Sequence, residues 1–234
     1  MLVVRSPGLG NAMSSLFKAW RPVFHRPATD ELSIRGYFPI GSEQAVGAPE
    51  PDPKCYFEFV PGGDLAESLM STVAGVHGRL LSVLREQTAV IARRVASMRA
   101  EHFAMLLDRA PPPVLRITYY PRDKSREIAN YPHSDIDLVT LLPRATAPGL
   151  QVASDGGWHE IQIDEESVIV LAGEMLELLG GPTAEIHRVV GVDERLCVSF
   201  FVNASPDERL PDGRVAGVVL EERLRMVRGA REPS

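Results

Sequence analysis

The spacing of the apolar residues changes at Pro111-Pro112-Pro113, and this change constrains the fold more than any other feature of the chain. Before the prolines, residues 65–107 carry apolar side chains at helical spacing, which predicts one long amphipathic helix or two in series. A shorter helical pattern in residues 10–27 is predicted to end at Pro22. After the prolines the spacing is typical of β-strands. Seven short runs rich in β-branched residues follow, separated by turn residues: 114–119, 137–142, 150–152, 160–163, 167–172, 185–190 and 195–202.

This order of elements indicates an α+β protein with an antiparallel sandwich or barrel in its second half. A jelly roll is the favoured form, because its open mouth can hold a small molecule. The length of 234 residues suits a single domain. We predict three parts within it: a helical and loop part at 1–112, a jelly-roll core at 113–205, and a C-terminal extension at 206–234 that contains a helix at 220–228, packed on the outside.

Composition and charge exclude several classes of function. The net charge of -6 argues against a general hold on nucleic acid phosphates. No apolar run approaches the ~18 residues that a membrane helix needs. Cys55 and Cys197 are too few for a disulfide framework, and residues 1–10 lack the apolar core of a signal peptide. We therefore expect a cytoplasmic protein that binds a small molecule; nothing in the sequence indicates its oligomeric state.

One spacing of metal-ligating residues lies in the strand-rich half. His133 and Asp135 are separated by one residue, so on an extended segment their side chains point to the same side. His187 follows 54 residues after His133 in another strand-like run. Two imidazoles and one carboxylate form the facial triad used by non-haem Fe(II) oxygenases. The alternative is a surface turn at residues 133–135 and a buried core histidine.

Arg195 opens an apolar strand-like run, where a guanidinium could lie inside a barrel. A buried guanidinium must be paired, and its planar fork suits a carboxylate. The alternative is an ion pair with an acidic side chain at the end of the strand.

Seven segments between residues 115 and 203 resemble, in order and spacing, the isopenicillin N synthase-like branch of the Fe(II)/2-oxoglutarate-dependent oxygenases. The N-terminal half agrees more loosely, so the resemblance extends from about residue 3 to about residue 207. Its clearest segments are Arg-Ile-Thr-Tyr-Tyr-Pro at 116–121, His-Ser-Asp at 133–135, Pro-Gly-Leu-Gln-Val at 148–152, Gly-Glu-Met-Leu at 173–176, Ile-His-Arg-Val-Val at 186–190 and Arg-Leu-Cys-Val-Ser at 195–199.

The resemblance implies a double-stranded β-helix, another name for the jelly roll, and a role for each matching residue. His133, Asp135 and His187 would bind Fe(II), and Arg195 would pair with the distal carboxylate of the co-substrate 2-oxoglutarate. Three further residues would contribute to the co-substrate pocket. They are Tyr120, whose hydroxyl would hold co-substrate or substrate, Cys197, which stands where relatives usually carry Ser, and Thr118, which stands where many carry Asn.

The implied activity is oxidation of a small molecule with O2, by hydroxylation, desaturation or ring formation in specialised metabolism, with no catalytic residues beyond the metal ligands. Two other functions stay open: an iron oxidase of the isopenicillin N synthase type that uses no 2-oxoglutarate, and a non-catalytic barrel that binds a small acid. Candidate substrate contacts are Tyr37, Phe57, Phe59, Thr140 and Phe201, with Arg116 and Arg35 as anchors for an acidic group. Core packing is the alternative role of the apolar members.

Overall fold

The computed structural model describes residues 1–25, 36–59 and 65–228, and within them it contains eleven strands and six helices. The helices are α1 (Leu9–Phe24), α2 (Glu67–Glu86), α3 (Thr88–Arg94), α4 (Ala100–Arg109), α5 (Glu174–Leu178) and α6 (Ala216–Arg228). The strands are β1 (Leu2–Arg5), β2 (Tyr37–Phe38), β3 (Cys55–Phe59), β4 (Val114–Tyr120), β5 (Ile128–His133), β6 (Val139–Pro143), β7 (Leu150–Ser154), β8 (Gly157–Glu160), β9 (Ser167–Ala172), β10 (His187–Val190) and β11 (Arg195–Val202).

The strands form two antiparallel sheets, which confirms the predicted jelly roll. The larger sheet has seven strands in the order β1-β9-β6-β11-β4-β3-β2, and the smaller has four in the order β5-β10-β7-β8. From β4 onward, consecutive strands alternate between the sheets except at β7 and β8, which form a hairpin. This winding is the jelly-roll arrangement and leaves an interior space between the sheets.

The two faces of the larger sheet have different neighbours, because successive side chains of a strand point to opposite sides. On β4, Leu115 and Ile117 are completely buried in the main hydrophobic core, which they share with residues of α1 and α2 such as Trp20 and Leu80. The residues of β4 that alternate with them, such as Arg116 and Thr118, face the space between the sheets. The helices thus cover one face of the sheet, and the other face lines an interior cavity.

The helical half departs from the predicted boundaries. The pattern over 65–107 forms three helices, with breaks at Gln87 and at residues 95–99, where Ser97 adopts a left-handed conformation with a φ of 52°. Helix α1 continues past Pro22 to Phe24, because a proline in the last turn removes only one hydrogen-bond donor. None of the helices in the described part of the chain has the length and apolarity needed to cross a membrane.

Two further elements differ from the prediction. Strand β5 was not predicted, because Asn130 and Pro132 interrupt its apolar pattern. Helix α6 begins at Ala216, four residues earlier than expected, and has one face exposed at Val218 and Met226 while the other faces inward. Its apolar and basic side chains, including Leu220 and Leu224, close one side of the interior cavity.

Candidate metal centre and its cavity

The residues His133, Asp135 and His187 converge at one end of the smaller sheet. His133 ends β5 and His187 begins β10, and the two are directly paired in the antiparallel register, with ring centroids 4.3 Å apart. Asp135 lies in the loop after β5; its carboxylate oxygens are 3.9 Å from His133 Nε2 and 3.7 Å from His187 Nε2. One ligand atom from each residue falls within 4.8 Å of the others, which is compact enough to hold one metal ion.

Both imidazoles are oriented by the backbone in the same way. The Nδ1 of His133 lies 2.8 Å from the carbonyl oxygen of Tyr131, and the Nδ1 of His187 lies 3.1 Å from that of Glu185. Since a carbonyl only accepts hydrogen bonds, each Nδ1 carries the hydrogen and each Nε2 offers its lone pair to a metal. The pKa of His133 is lowered to about 3, mainly by burial and to a smaller extent by the neighbouring His187, and this keeps the imidazole neutral.

The carboxylate of Asp135 is held by Thr140, whose hydroxyl donates to Oδ2 at 2.5 Å. Burial alone would raise the pKa of Asp135, but His187, His133 and the Thr140 hydrogen bond outweigh it and hold the pKa below its ordinary value. Thr140 is completely buried and absent from the cavity wall. Its prediction as a substrate contact is therefore corrected: this side chain orients Asp135, a candidate metal ligand.

A cavity of about 590 Å³ opens beside this centre, and Arg195 lies in its wall. The Nε of Arg195 donates to the carbonyl oxygen of Ala147 at 3.1 Å, and its guanidinium lies 5.5 Å from the ring centroid of Tyr120. Its Nη1 is buried and has no hydrogen-bond partner among the described residues. An unpartnered buried donor on a cation is costly, so this part of the cavity suits an anionic ligand. Thr118, Tyr120 and Cys197 line the same cavity.

Comparison with known proteins identifies the family of this segment. Residues 111–204 match the family model of the 2OG-Fe(II) oxygenase superfamily, and they include all three candidate metal ligands. This segment of the chain is thus similar to that superfamily. The mugineic-acid 3-dioxygenase of Hordeum vulgare is 35% identical over 100 residues, which cover 40% of this chain and 30% of that protein.

The predicted resemblance to the isopenicillin N synthase-like branch is also confirmed. The isopenicillin N synthase of Hapsidospora chrysogena is 31% identical over 100 residues, covering 42% of this chain and 28% of that enzyme. The chain thus matches less than a third of the length of these two relatives. A full-length protein of Neurospora crassa, solved in complex with alpha-KG, superposes with a TM-score of 0.75 and 21% identity over 95% of this chain and 85% of that chain, a likeness in fold.

The His133-Asp135-His187 arrangement fits the iron site of a 2OG-Fe(II) oxygenase. Its donor set is two imidazole nitrogens and one carboxylate oxygen, the set that Fe(II) accepts in a facial triad. The Arg195 guanidinium fits the co-substrate equally well, because a carboxylate would provide the acceptor that Nη1 lacks.

Three of the four predicted aromatic substrate contacts lie away from the cavity. Phe57 and Phe59 are buried in the main core, where Phe57 packs against Trp20 with ring centroids 4.7 Å apart. Tyr37 packs against the same core. None of these three residues lines the cavity, because Phe57 and Phe59 lie on the side of β3 that faces the helices and Tyr37 of β2 packs against the same core. Phe201 does line it, as predicted.

Arg116 also lines the cavity, but its guanidinium is already neutralised. It donates to Glu43 through both Nη1 and Nη2 at 2.9 Å, and to Glu58 at 2.6 and 3.1 Å. Its face lies 4.1 Å from the ring centroid of Tyr56. A side chain with two carboxylate partners has little capacity left for an acidic substrate, so the prediction of an anchor here is corrected. Arg35, the other predicted anchor, lies outside the described residues.

Several charged cavity residues were missed by the sequence reasoning. Lys54 is buried and contacts Asn130, Asp52 and Glu43 at 2.9, 3.2 and 3.3 Å. Burial would raise the pKa of Glu43, but Arg116, Lys54 and Arg228 together hold it well below its ordinary range. A signal did exist in the sequence: Glu58 alternates with the two core aromatics of 55–59, so it must face the cavity if they face the helices.

Proposed function

We propose that this protein is an Fe(II)- and 2-oxoglutarate-dependent oxygenase that oxidises a small molecule, by hydroxylation, desaturation or ring formation, in specialised metabolism. One observation supports it best: two imidazole Nε2 atoms and a carboxylate converge beside a cavity whose wall includes Arg195, and the Nη1 of Arg195 has no hydrogen-bond partner among the described residues. When bound, Fe(II) and 2-oxoglutarate would activate O2, which is the oxidant: its four electrons would come in equal parts from the conversion of 2-oxoglutarate to succinate and CO2 and from the oxidation of a substrate C–H bond.

The chain would divide the work between two groups of residues. His133, Asp135 and His187 would hold the iron on one face and leave its other positions for exogenous ligands. Arg195 would orient 2-oxoglutarate through its distal carboxylate, with the Tyr120 and Thr118 hydroxyls nearby as neutral donors. Burial raises the pKa of Tyr120 well above its ordinary value, which keeps this hydroxyl protonated.

The outer wall of the cavity would select the substrate and exclude water. Phe201 and side chains of α6 line it, together with the ion pairs of Arg116. Closing such a site strengthens its electrostatic interactions and protects the oxidation from side reactions.

The test is succinate release and O2 uptake by anaerobically prepared protein supplied with Fe(II) and 2-oxoglutarate. We expect turnover in the wild type and its loss in His187→Ala and Arg195→Ala. The exposed His159 provides a matched control, and His159→Ala should keep wild-type turnover. Equal turnover in all four proteins would contradict the proposal.

An oxidase that draws all electrons from its substrate is the second candidate, and Cys197 is the observation that favours it. Cys197 pairs with Thr118 across β4 and β11, close to where the distal carboxylate would lie, and a thiol is a weak donor to a carboxylate. The buried Nη1 of Arg195, which lacks a partner among the described residues, supports the 2-oxoglutarate route more strongly. If the protein binds iron and 2-oxoglutarate leaves the visible spectrum of the iron unchanged, the oxidase becomes the better proposal. If it binds no iron, the non-catalytic barrel does.

We also propose that the protein works in the cytoplasm without a nucleic acid or membrane partner. The negative net charge supports the first exclusion. Both cysteines are buried and unpaired, which fits a reducing compartment.

A further inference from the structure

Glu174, the first residue of α5, contacts both the loop that carries Asp135 and the C-terminal helix. Its Oε1 accepts a hydrogen bond of 2.6 Å from the hydroxyl of Ser134, which lies between His133 and Asp135 in the chain. The same carboxylate accepts two hydrogen bonds from Arg223 of α6, through Nε at 2.8 Å and Nη2 at 2.6 Å. One side chain thus joins residues 134–138, which we call the metal loop, to a helix that lines the cavity.

The backbone makes the metal loop and the start of α5 one unit. The N–H of Glu174 donates to the carbonyl oxygen of Asp135 at 2.8 Å, and the N–H of Met175 donates to that of Asp137 at 3.1 Å. Gly173 packs so closely that a Cβ there would lie 2.2 Å from the Asp137 carbonyl oxygen. A displacement of Glu174 would therefore move the carbonyl of a metal ligand.

Helix α6 is held over the cavity at a second point as well. Arg228 contacts Glu43 at 3.3 Å and Glu58 at 2.6 Å, and the carbonyl oxygen of Val227 accepts a hydrogen bond of 2.8 Å from the backbone of Gln44. Between these two points lie the helix residues that line the cavity, Leu220, Arg223, Leu224 and Val227. The Arg223–Glu174 pair is the contact that connects this cover to the metal loop.

We propose that Glu174 and Arg223 are positioning residues, which couple the docking of α6 over the cavity to the geometry of the metal loop. This inference rests on the proposed function of His133, Asp135 and His187 as metal ligands. When Arg223 withdraws, the Glu174 carboxylate loses two of its three side-chain hydrogen bonds and keeps only the one from Ser134. The carboxylate then reorients toward water, and Ser134 loses a fixed acceptor. By linkage, metal binding favours the docked helix to the same extent that the docked helix favours metal binding.

The test measures Co(II) affinity from the visible absorption of the bound ion, for wild type, Glu174→Gln, Arg223→Gln and the double variant. Loss of a hydrogen-bonding partner behind a metal ligand typically weakens binding 10- to 100-fold, and we expect about tenfold for each single variant. The double variant should be no weaker than the singles, because both break the same link. Arg223→Lys, which keeps the charge without the bidentate geometry, should be intermediate.

Arg225→Gln is the matched control, because Arg225 lies on the same helix and, among the residues that the structure describes, forms an ion pair only with the exposed Glu221. It should bind Co(II) as the wild type does. The second readout is hydrogen exchange of the α6 amides. Co(II) should slow this exchange in the wild type and in Arg225→Gln, and should have little effect on it in Arg223→Gln.

Three results would overturn the coupling. They are wild-type Co(II) affinity in Arg223→Gln, a double variant whose loss is the product of the single losses, or equal protection of α6 by Co(II) in wild type and Arg223→Gln. Circular dichroism and thermal melting identify a variant that has lost its fold, in which case Arg223→Lys decides. If the wild type itself binds no Co(II), the metal site fails and this coupling fails with it.

Discussion

Replacing Arg195 with methionine separates a ligand-binding role of this side chain from a structural one. In the ligand-free protein the substitution removes the hydrogen bond to Ala147 and the contact with the Tyr120 ring. A hydrogen bond from a charged donor contributes about 1.5–3 kcal/mol, and the ring contact ~0.5–1 kcal/mol. Against this, the substitution removes a buried donor without a partner, which costs about 1–3 kcal/mol, and the desolvation of a buried charge.

These contributions nearly cancel, so we expect the free energy of unfolding of ligand-free Arg195→Met to lie within about 1 kcal/mol of wild type. Binding of 2-oxoglutarate should suffer much more. Removing one partner of a buried, hydrogen-bonded ion pair costs about 2–5 kcal/mol or more. A loss of ~3 kcal/mol corresponds to a dissociation constant roughly 150-fold higher.

Urea unfolding measures the first quantity, and calorimetric titration of the Co(II)-loaded protein with 2-oxoglutarate measures the second. Arg188→Met is the control: Arg188 also lies over an aromatic ring, 4.2 Å from the centroid of Trp158, but does not line the cavity. It should leave 2-oxoglutarate affinity unchanged. The reasoning is refuted if Arg195→Met binds 2-oxoglutarate like wild type, or if it loses more than about 3 kcal/mol of stability without ligand.

Three further predictions concern the surroundings of the metal centre and the core. Thr140→Val removes the donor to Asp135 and should weaken Co(II) binding roughly 10- to 100-fold in a metal titration. Gly173→Ala should lower the unfolding free energy by about 1–3 kcal/mol in urea titrations and weaken Co(II) binding, whereas Gly78→Ala in α2, where a Cβ meets open space, should raise stability by up to ~1 kcal/mol. Burial lowers the pKa of His77 below its ordinary value, so the unfolded chain takes up its proton first as pH falls below about 6.5. Because of this group, the free energy of unfolding should decrease by up to ~1.4 kcal/mol for each pH unit below that value. In urea titrations at several pH values, the unfolding free energy of His77→Gln should depend less steeply on pH than that of wild type.

The jelly roll could be predicted because its strands are short, β-branched and separated by turn residues. The candidate metal ligands could be named as well, because a one-residue spacing on an extended segment brings His133 and Asp135 to the same side, and the family resemblance then favoured a metal site over a surface turn. Strand β5, which carries His133, escaped prediction because its polar and proline residues hide its period. The spacing of His133 and Asp135 therefore indicated the candidate metal centre even though the strand that carries His133 was not predicted.

The cavity wall was harder to predict, because it depends on which face of β3 meets the helices. Residues 55–59 carry aromatic rings on both faces, so alternation alone does not choose between Phe57 and Tyr56. Pairing with β4 decides it, since Glu58 lies opposite Arg116 and forms an ion pair with it. The contacts of α6 with the cavity could not be predicted either, because Arg223 and its partner Glu174 are 49 residues apart in the chain.

The measurement that tests the central claim most directly is the stoichiometry of Fe(II) binding under anaerobic conditions, for wild type and His187→Ala. The account predicts one Fe(II) per wild-type chain, a change in its visible spectrum when 2-oxoglutarate is added, and loss of tight binding in His187→Ala. Equal binding of iron by the two proteins, or no binding by the wild type, would contradict the assignment of His133, Asp135 and His187 as the iron ligands.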